Sequence, residues 1–563
     1  MKLKRLSIGT LGLLAVSGFA SSCSSKSEDC NANLNCAPYG GELGFSGTSG
    51  AASASGSSGM SNTSGGASGK GGGASNGAGN SGDGGADAAG SGGAPPPTCD
   101  GTLSPEVDSC VISDKYGVFV SPTGIDATAD GTQALPYATV TAALANISKI
   151  KHVYVCAGNG DYIEPDTLQI PDRVSIYGGF TCTGGTWQYD SPSPAHLISS
   201  RPIGAMITNA KVGVVLQDLR LDAANAPEDG TGANSFGLII SGSQGIALKR
   251  VELRAGKGGK GKSGADGATG VDGVASTDAQ NGAAGTCTPP STLVDGPHPA
   301  SKQCGSEGGN GGAARVATDY APSQDGGSAY LVTPSNGGKG GDVFGQAATR
   351  GGDGDRTLSN QGASGQAAPV LGIFSATGYK VASGGTGVSG KAGQGGGGGG
   401  ASLGSATCIG ATGGAGGMGG CGGDPGTGGT GGGASVALLT WESTVSLDSC
   451  TLTANVAGAG GDGGKGHVGG AGKTGGLGGA KVGTVGKGGN GGDGADGGDG
   501  GNGAGGTGGP SIALVYDGTP VTHLTPSTLS FATTPAAAGK GGAFGQAAPD
   551  GSKGLTQDIY PKP

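Results

Sequence analysis

Apolar and polar positions alternate in the same way along four ten-residue stretches: VVLQDLRLDA from Val214, IALKRVELRA from Ile246, VSLDSCTLTA from Val445 and THLTPSTLSF from Thr522. In register, Leu216, Leu248, Leu447 and Leu524 form one column, and Leu221, Leu253, Leu452 and Leu529 a second. A third column holds Leu219, Val251, Cys450 and Ser527. A strand-like unit with one apolar side cannot bury that side alone, so its recurrence predicts stacking of like units. The expectation is an all-β chain wound as a parallel β-helix, a solenoid in which each phrase lies on one face of a successive coil.

A second strand-like run precedes each phrase: GAMITNAK, FGLIISGS, ASVALLTW and PSIALVYD. A loop follows each phrase at the same corner. It is short after the first phrase, ANAPEDGTGANS, and very long after the second and third, where it carries the glycine-rich tracts. These tracts are read as insertions at one edge of the solenoid. Their glycines fall at every third position over Gly258 to Gly273, Gly463 to Gly478 and Gly488 to Gly509. Proline is almost absent, which removes the preorganisation a collagen triple helix needs. The ordered alternative is a polyglycine-II-like bundle of extended three-residue-per-turn helices with lateral backbone hydrogen bonds. The other alternative is flexible disorder, since glycine loses the most entropy on ordering.

Upstream, YGVFVSPTGIDATADGTQALPYATVTAALANI reads as a strand, a turn and a short helix capped by Thr139, whose Val140, Ala143, Leu144 and Ile147 share one side. That helix would cover the open end of the first coil. The order FVSPTGIDATADGTQALPYATVTAAL, then VYVCAGNGDYIE, then VSIYGGFTC, resembles the start of pectate-lyase-like right-handed β-helix proteins, in particular the glycine-rich surface lipoproteins of myxobacteria. The resemblance implies a right-handed β-helix at the cell surface and leaves activity open. It also places Cys156 and Cys182 on adjacent coils. The glycine tracts resemble those of mycobacterial surface proteins.

Composition changes the picture in two ways. With 134 glycines and 4% aromatic residues in 563, much of the chain lies outside any apolar core. A net charge of -9 leaves no basic footprint for nucleic acid. The N-terminus reads as a secretory signal, basic MKLKR followed by LSIGTLGLLAVSGFA. Ala20-Ser21-Ser22-Cys23 resembles a bacterial lipobox, with Ala20 where leucine is usual, which implies lipidation of Cys23. Ser24 after it implies outer-membrane sorting, with free secretion as the alternative. The expected organisation is signal peptide 1–22, lipid-anchored disordered Ser/Gly linker 23–98, β-helix coils 99–255, glycine-rich insertion 256–433, one coil 434–456, a second insertion 457–509, a last coil 510–535 and a glycine-rich tail 536–563.

Eleven cysteines remain beyond Cys23, and spacing pairs them as Cys30 with Cys36, Cys99 with Cys110, Cys156 with Cys182, Cys287 with Cys304, and Cys408 with Cys421. Cys450 is left over, in an apolar column, and is expected as a buried free thiol. Chemistry is sparse. No outward column stacks two carboxylates, and Asp218 and Asp222 are read as solvated. Asp190 and Arg201 are kept as candidates for a site on the early coils. The run GGDGADGGD from Gly491 partly matches a calcium nonapeptide, so loosely bound calcium is the one ion considered, and no other cofactor or metal is expected. The five histidines show no ligand spacing, and no HExxH occurs. The leading reading is a non-enzymatic cell-surface lipoprotein, structural or adhesive, with extracellular polysaccharide or surface proteins as partners. The alternative is a carbohydrate-active enzyme or binding module on the face between Tyr116 and Arg254.

Overall fold

The computed structural model describes residues 99–561, apart from 148–151, 159, 191–192, 289–292, 318–322, 330–337, 344–346, 356–359, 519 and 524–525. Cys23, Cys30, Cys36, Leu524, the signal peptide and the linker therefore lie outside the described residues. Strands dominate, and almost all pair in parallel.

Three sheets carry the fold. The first runs through 117–120, 152–156, 175–181, 214–217, 246–249, 445–448 and 522–523, with 188–189 added antiparallel on 175–181. The second orders 162–164, 195–199, 219–222, 252–254, 451–453 and 528–530, and the third orders 168–169, 203–208, 235–241, 435–441, 511–517 and 556–560. From residue 152 onward the chain visits first, second and third sheet in turn. Each ten-residue phrase thus supplies one strand to the first sheet and one to the second, and the run before it supplies the third.

A single residue in the left-handed region turns the chain between the two strands of a phrase: Asp218 at φ 52°, Arg250 at 49° and Ser449 at 55°. That conformation costs a non-glycine residue about 1–2 kcal/mol. It is tolerated here because the flanking ladders fix both strands.

The inner faces meet in one apolar cluster that includes Leu216, Leu221, Leu238, Leu248, Leu253, Leu438, Leu447, Leu452 and Leu514. Leu216, Leu248 and Leu447 are paired in register, as are Leu221, Leu253, Leu452 and Leu529. The fourth phrase departs from the expected alignment. Thr522 pairs with Ser446 and His523 with Leu447, so its first strand is shifted by one residue while Leu529 keeps its place. A one-residue slip exchanges the two faces of a strand. The register adopted brings Val521, 8% exposed, level with Val445 where the expected one would have placed Thr522.

The helix spans Val140–Asn146, with the Thr139 side chain accepting the Ala142 amide and Val140 and Ala143 fully buried. The carboxylate of Glu164, itself buried, accepts the amides of Val140 and Thr141 at 2.8 and 2.9 Å. Strand Gly117–Val120 is buried on both faces, not on alternate ones. Phe119, Tyr154, Tyr177 and Phe180 cover its outer side with Trp187 and Tyr189.

The glycine tracts leave the second sheet and return to the third at residues 255–434, 454–510 and 531–555. They are ordered by backbone hydrogen bonds with a three-residue period. The amides of Gly258, Gly261, Gly264, Gly267, Gly270 and Gly273 donate to the carbonyls of Val456, Ala459, Asp462, Lys465, Val468 and Ala471 at 2.7–3.0 Å. Gly458, Gly461, Gly464, Gly470, Gly476 and Gly479 donate to Gly433, Thr430, Thr427, Cys421, Ala415 and Thr412, an antiparallel pairing. Segment 414–432 donates in the same rhythm to 489–507 and accepts from 384–399. Glycine is required at such contacts. A Cβ at Gly416 would lie 1.9 Å from the carbonyl oxygen of Gly396, and one at Gly466 2.0 Å from that of Gly500.

Candidate functional site

Polar side chains converge on the outer faces of the first two sheets. On the first, the Asp218 carboxylate, 2% exposed, takes a bidentate fork from Arg250, Nε to Oδ1 at 2.6 Å and an Nη2 to Oδ2 bond at 2.9 Å. The Tyr189 hydroxyl and the Gln217 amide also bond Asp218. Burial alone would push the Asp218 carboxyl up; the Arg250, Tyr189 and Gln217 hydrogen bonds outweigh it and hold it below the usual carboxylate range. Glu106 closes the cluster from the segment before the first strand, with Lys249 Nζ at 2.5 Å, Gln217 Nε2 at 3.2 Å and Arg250 Nη1 at 3.4 Å. Reading Asp218 as a solvated residue is thus corrected: the left-handed corner turns it against Arg250 on the neighbouring corner. This arrangement ties residues far apart in sequence. Its two carboxylates and two cations neutralise one another, which suits a clamp better than a reaction centre.

On the second sheet the outward residues form two rows. Register places His196, Arg220, Glu252, Thr451 and Thr528 side by side, and Ile163, Ile198, Asp222, Arg254, Thr453 and Ser530 beside them. His196 lies between two carboxylates, with Nδ1 2.7 Å from Asp161 and Nε2 3.1 Å from Asp222. Arg220 holds Asp222 through Nε and Nη2 at 3.1 and 2.6 Å. Burial raises the Asp222 carboxyl, and the Arg220 and His196 contacts reverse this and leave it lowered. Asp222 is therefore paired as well. Spacing along the chain gave no sign that His196 would meet Asp161 and Asp222, because the three come from three different strands or their edges.

The other predicted residues are placed as follows. Cys99 is bonded to Cys110 and Cys156 to Cys182. Cys287 is bonded to Cys408 and Cys304 to Cys421, which overturns the pairing of Cys287 with Cys304 and of Cys408 with Cys421. Lateral pairing of the glycine segments explains the exchange. Thr286 lies opposite Ile409, and Ser306 Oγ accepts the Gly419 amide, so partners about 120 residues apart are brought together. Cys450 carries no disulfide, is 1% exposed, and approaches the carbonyls of Leu248 and Asp448. Burial pushes its thiol up, away from a reactive thiolate. Arg201 forms an exposed pair with Asp166 at 2.8 Å, while the Asp190 amide donates to Gly179; neither joins a wider cluster through these contacts.

The run considered for calcium has a different role. Asn490, Asp493, Asp496, Asp499 and Asn502 accept, through Oδ1, the amides of Gly478, Gly475, Gly472, Gly469 and Gly466 at 2.9–3.3 Å. Side chains at every third residue thus supply acceptors along one edge of the glycine lattice. Three residues of an extended three-fold helix rise about 9 Å, so successive carboxylates are too far apart to share an ion. The period of Asn and Asp is plain in the sequence, but the amides it serves lie on another segment and leave no mark beside it. Among the described residues the one compact group of potential metal ligands is Cys99, Asp108 and Cys110, whose two sulfurs are already joined.

No family model matches the chain, and no curated protein does. Among solved structures, a rhamnogalacturonan lyase aligns with 26% of this chain and 37% of its own length, at 13% identity and a TM-score of 0.19. The chain thus spans little more than a third of that structure, and a likeness of this size carries no argument about fold or chemistry.

Proposed function

We propose that the protein is a non-enzymatic cell-surface lipoprotein with a structural or adhesive role, in which a right-handed parallel β-helix carries polyglycine-II-like insertions on one side. The observation that carries this reading is the three-residue rhythm of backbone bonds among tracts 258–282, 412–433, 458–479 and 488–509. Such a lattice is held together by main chain rather than by side chains. The cyclic visiting of three sheets, with long tracts all departing between the second and third, supports the solenoid reading.

The surface address rests on the N-terminal sequence. Basic MKLKR, a short apolar run and Cys23 after small residues are the features a lipid anchor would need, and the Ser/Gly segment to residue 98 would separate the folded part from the membrane. Four disulfides among the described residues agree with an oxidising compartment. Labelling with radioactive palmitate, together with protease treatment of intact cells, tests the anchor and the exposure. Label should enter the wild type and not Cys23→Ser, and external protease should remove the folded part. Label retained by Cys23→Ser, or protection from external protease, would refute the reading.

A further inference from the structure

We propose that the row Asn490, Asp493, Asp496, Asp499 and Asn502 is a terminator of the glycine lattice. It closes a groove that takes an extended glycine-triplet segment, and the segment it keeps out is that of a second copy of this chain. One series of amides runs along segment 460–478 at every third residue, and it is met in two ways. The amides of Gly460 and Gly463 donate to main-chain carbonyls of the tail, those of Ala537 and Lys540, at 2.9 and 2.7 Å. Those of Gly466, Gly469, Gly472, Gly475 and Gly478 donate to the side-chain oxygens of the row at 2.9–3.3 Å.

The facing segment, 490–508, changes residue type at the same point. Every third position along it reads Asn490, Asp493, Asp496, Asp499, Asn502, and then Gly505 and Gly508. Beside the two glycines the tail arm 536–542 lies between the segments, with Gly539 and Gly542 donating to the carbonyls of Gly506 and Gly503 at 2.9 and 2.8 Å. A Cβ at Gly505 would stand 2.1 Å from the carbonyl oxygen of Gly539, and one at Gly508 2.5 Å from that of Ala536. The arm therefore lies only where this row carries no side chain. Asn502 marks the boundary. Its Oδ1 accepts the amides of Gly466 and Phe544, and its Nδ2 donates to the carbonyls of Phe544 and Gln546, where the tail turns back on itself.

Backbone amides left unpaired at an edge are a template for another chain, and Asn and Asp side chains can take the place of a main-chain acceptor. Without the row, the amides from Gly466 to Gly478 would face the groove unmatched. The tail arm shows what the groove accepts: an extended segment that donates from glycines three residues apart and receives the facing amides on its carbonyls. A second copy carries such segments, 463–478 itself among them. Pairing about a two-fold axis lets the groove of each copy receive the same segment of the other.

Sedimentation of the oxidised full chain tests the proposal. Asp493→Gly, Asp496→Gly and Asp499→Gly combined should self-associate at least about tenfold more tightly than wild type. Asp493→Asn, Asp496→Asn and Asp499→Asn combined keep an acceptor and lose the charge, and should sediment as wild type does. Gly505→Asn makes the converse change: hydrogen exchange should show Gly539 and Gly542 unprotected, while the Gly463 amide stays protected by the added side chain. This last variant decides the matter if the triple glycine variant fails to fold, read as lost protection in 152–156. A folded triple glycine variant that sediments as wild type up to about 1 mM would overturn the proposal. So would equal association of the two triple variants, or loss of protection at Gly463 in Gly505→Asn. Because purified protein is used, these outcomes are independent of palmitate labelling and of cell-surface exposure.

Discussion

The three-sheet region and the glycine lattice are both densely bonded, yet they are held by opposite means. In the sheets, leucine, isoleucine and valine side chains fill the interior, and each buried one contributes about 1.5–3 kcal/mol. In the lattice, the amides of Gly416 and Gly491 find carbonyls of neighbouring segments with no side chain between them. A backbone hydrogen bond nets about 0.5–1.5 kcal/mol, and fixing a residue costs about 1–2 kcal/mol. The lattice therefore sits close to balance and depends on added fasteners. Two disulfides closing loops of 121 and 117 residues lie within it, a row of Asn and Asp side chains completes one edge, and Phe374 and Tyr379 dock against Phe236 of the third sheet. The sheets need none of these to be compact, and they give the lattice a fixed edge on which to grow.

The sharpest way to break this contrast is to add one side chain to the lattice. In Gly416→Val the new Cβ would fall 1.9 Å from one carbonyl oxygen and 2.9 Å from the amide nitrogen of Gly309, all rigid main chain. A cost above about 4 kcal/mol is expected, in the class of severe strain. Hydrogen exchange should show protection lost in 384–399 and 489–507 while 152–156 stays protected. Equal protection in both forms would mean that the lattice tolerates side chains, against the contrast drawn above. The matching change in the sheets is Leu438→Ala, at a fully buried position paired with Leu238 and Leu514. It should cost about 2–5 kcal/mol in denaturant titration, with protection falling in all three sheets.

How far the sequence foretells the two regions follows from the same difference. Apolar columns are local and periodic, so Leu216, Leu248 and Leu447, and all four members of the Leu221 column, could be aligned by eye. The slip at Thr522 could not, because one extra residue separates the two short strands of the fourth phrase. In the lattice the glycine period is equally visible, but it carries no information about which segment pairs with which. That is why spacing pairs Cys287 with Cys304, whereas the lattice joins Cys287 to Cys408 and Cys304 to Cys421. The charged clusters were least legible: Glu106 meets Lys249 143 positions away, and nothing near either residue announces it.

The fasteners rank next. Cys304→Ser with Cys421→Ser should lower the lattice's unfolding free energy by about 2–4 kcal/mol, read as earlier loss of protection in 412–433. An unchanged exchange pattern would show that the lattice supports itself. Asn502, 2% exposed, accepts the amides of Gly466 and Phe544 and donates to the carbonyls of Phe544 and Gln546. Asn502→Ala should cost about 1–3 kcal/mol through the groups left unsatisfied, and it should free the segment around 544–546 first.

The smallest effect belongs to the open face of the second sheet, and it depends on pH. Burial raises the Asp222 carboxyl, while Arg220 and His196 more than reverse this and leave it lowered. A lowered carboxyl binds its proton less readily in the folded chain than in the unfolded one. Its contribution to stability is therefore fully present above the unfolded value of about 3.9 and is lost as pH falls through the folded value. Asp222→Asn should be less stable than wild type at neutral pH by under about 1 kcal/mol, since the pair is partly solvated, with side chains 23% and 31% exposed. In urea titrations the gap should hold down to about pH 5 and close below about pH 4, because the wild type then loses the charge that the variant never had. A gap of constant size across that range would mean that the Asp222 charge is not what holds Arg220 and His196 in place, and would separate this face from the tightly paired Asp218 cluster beside it.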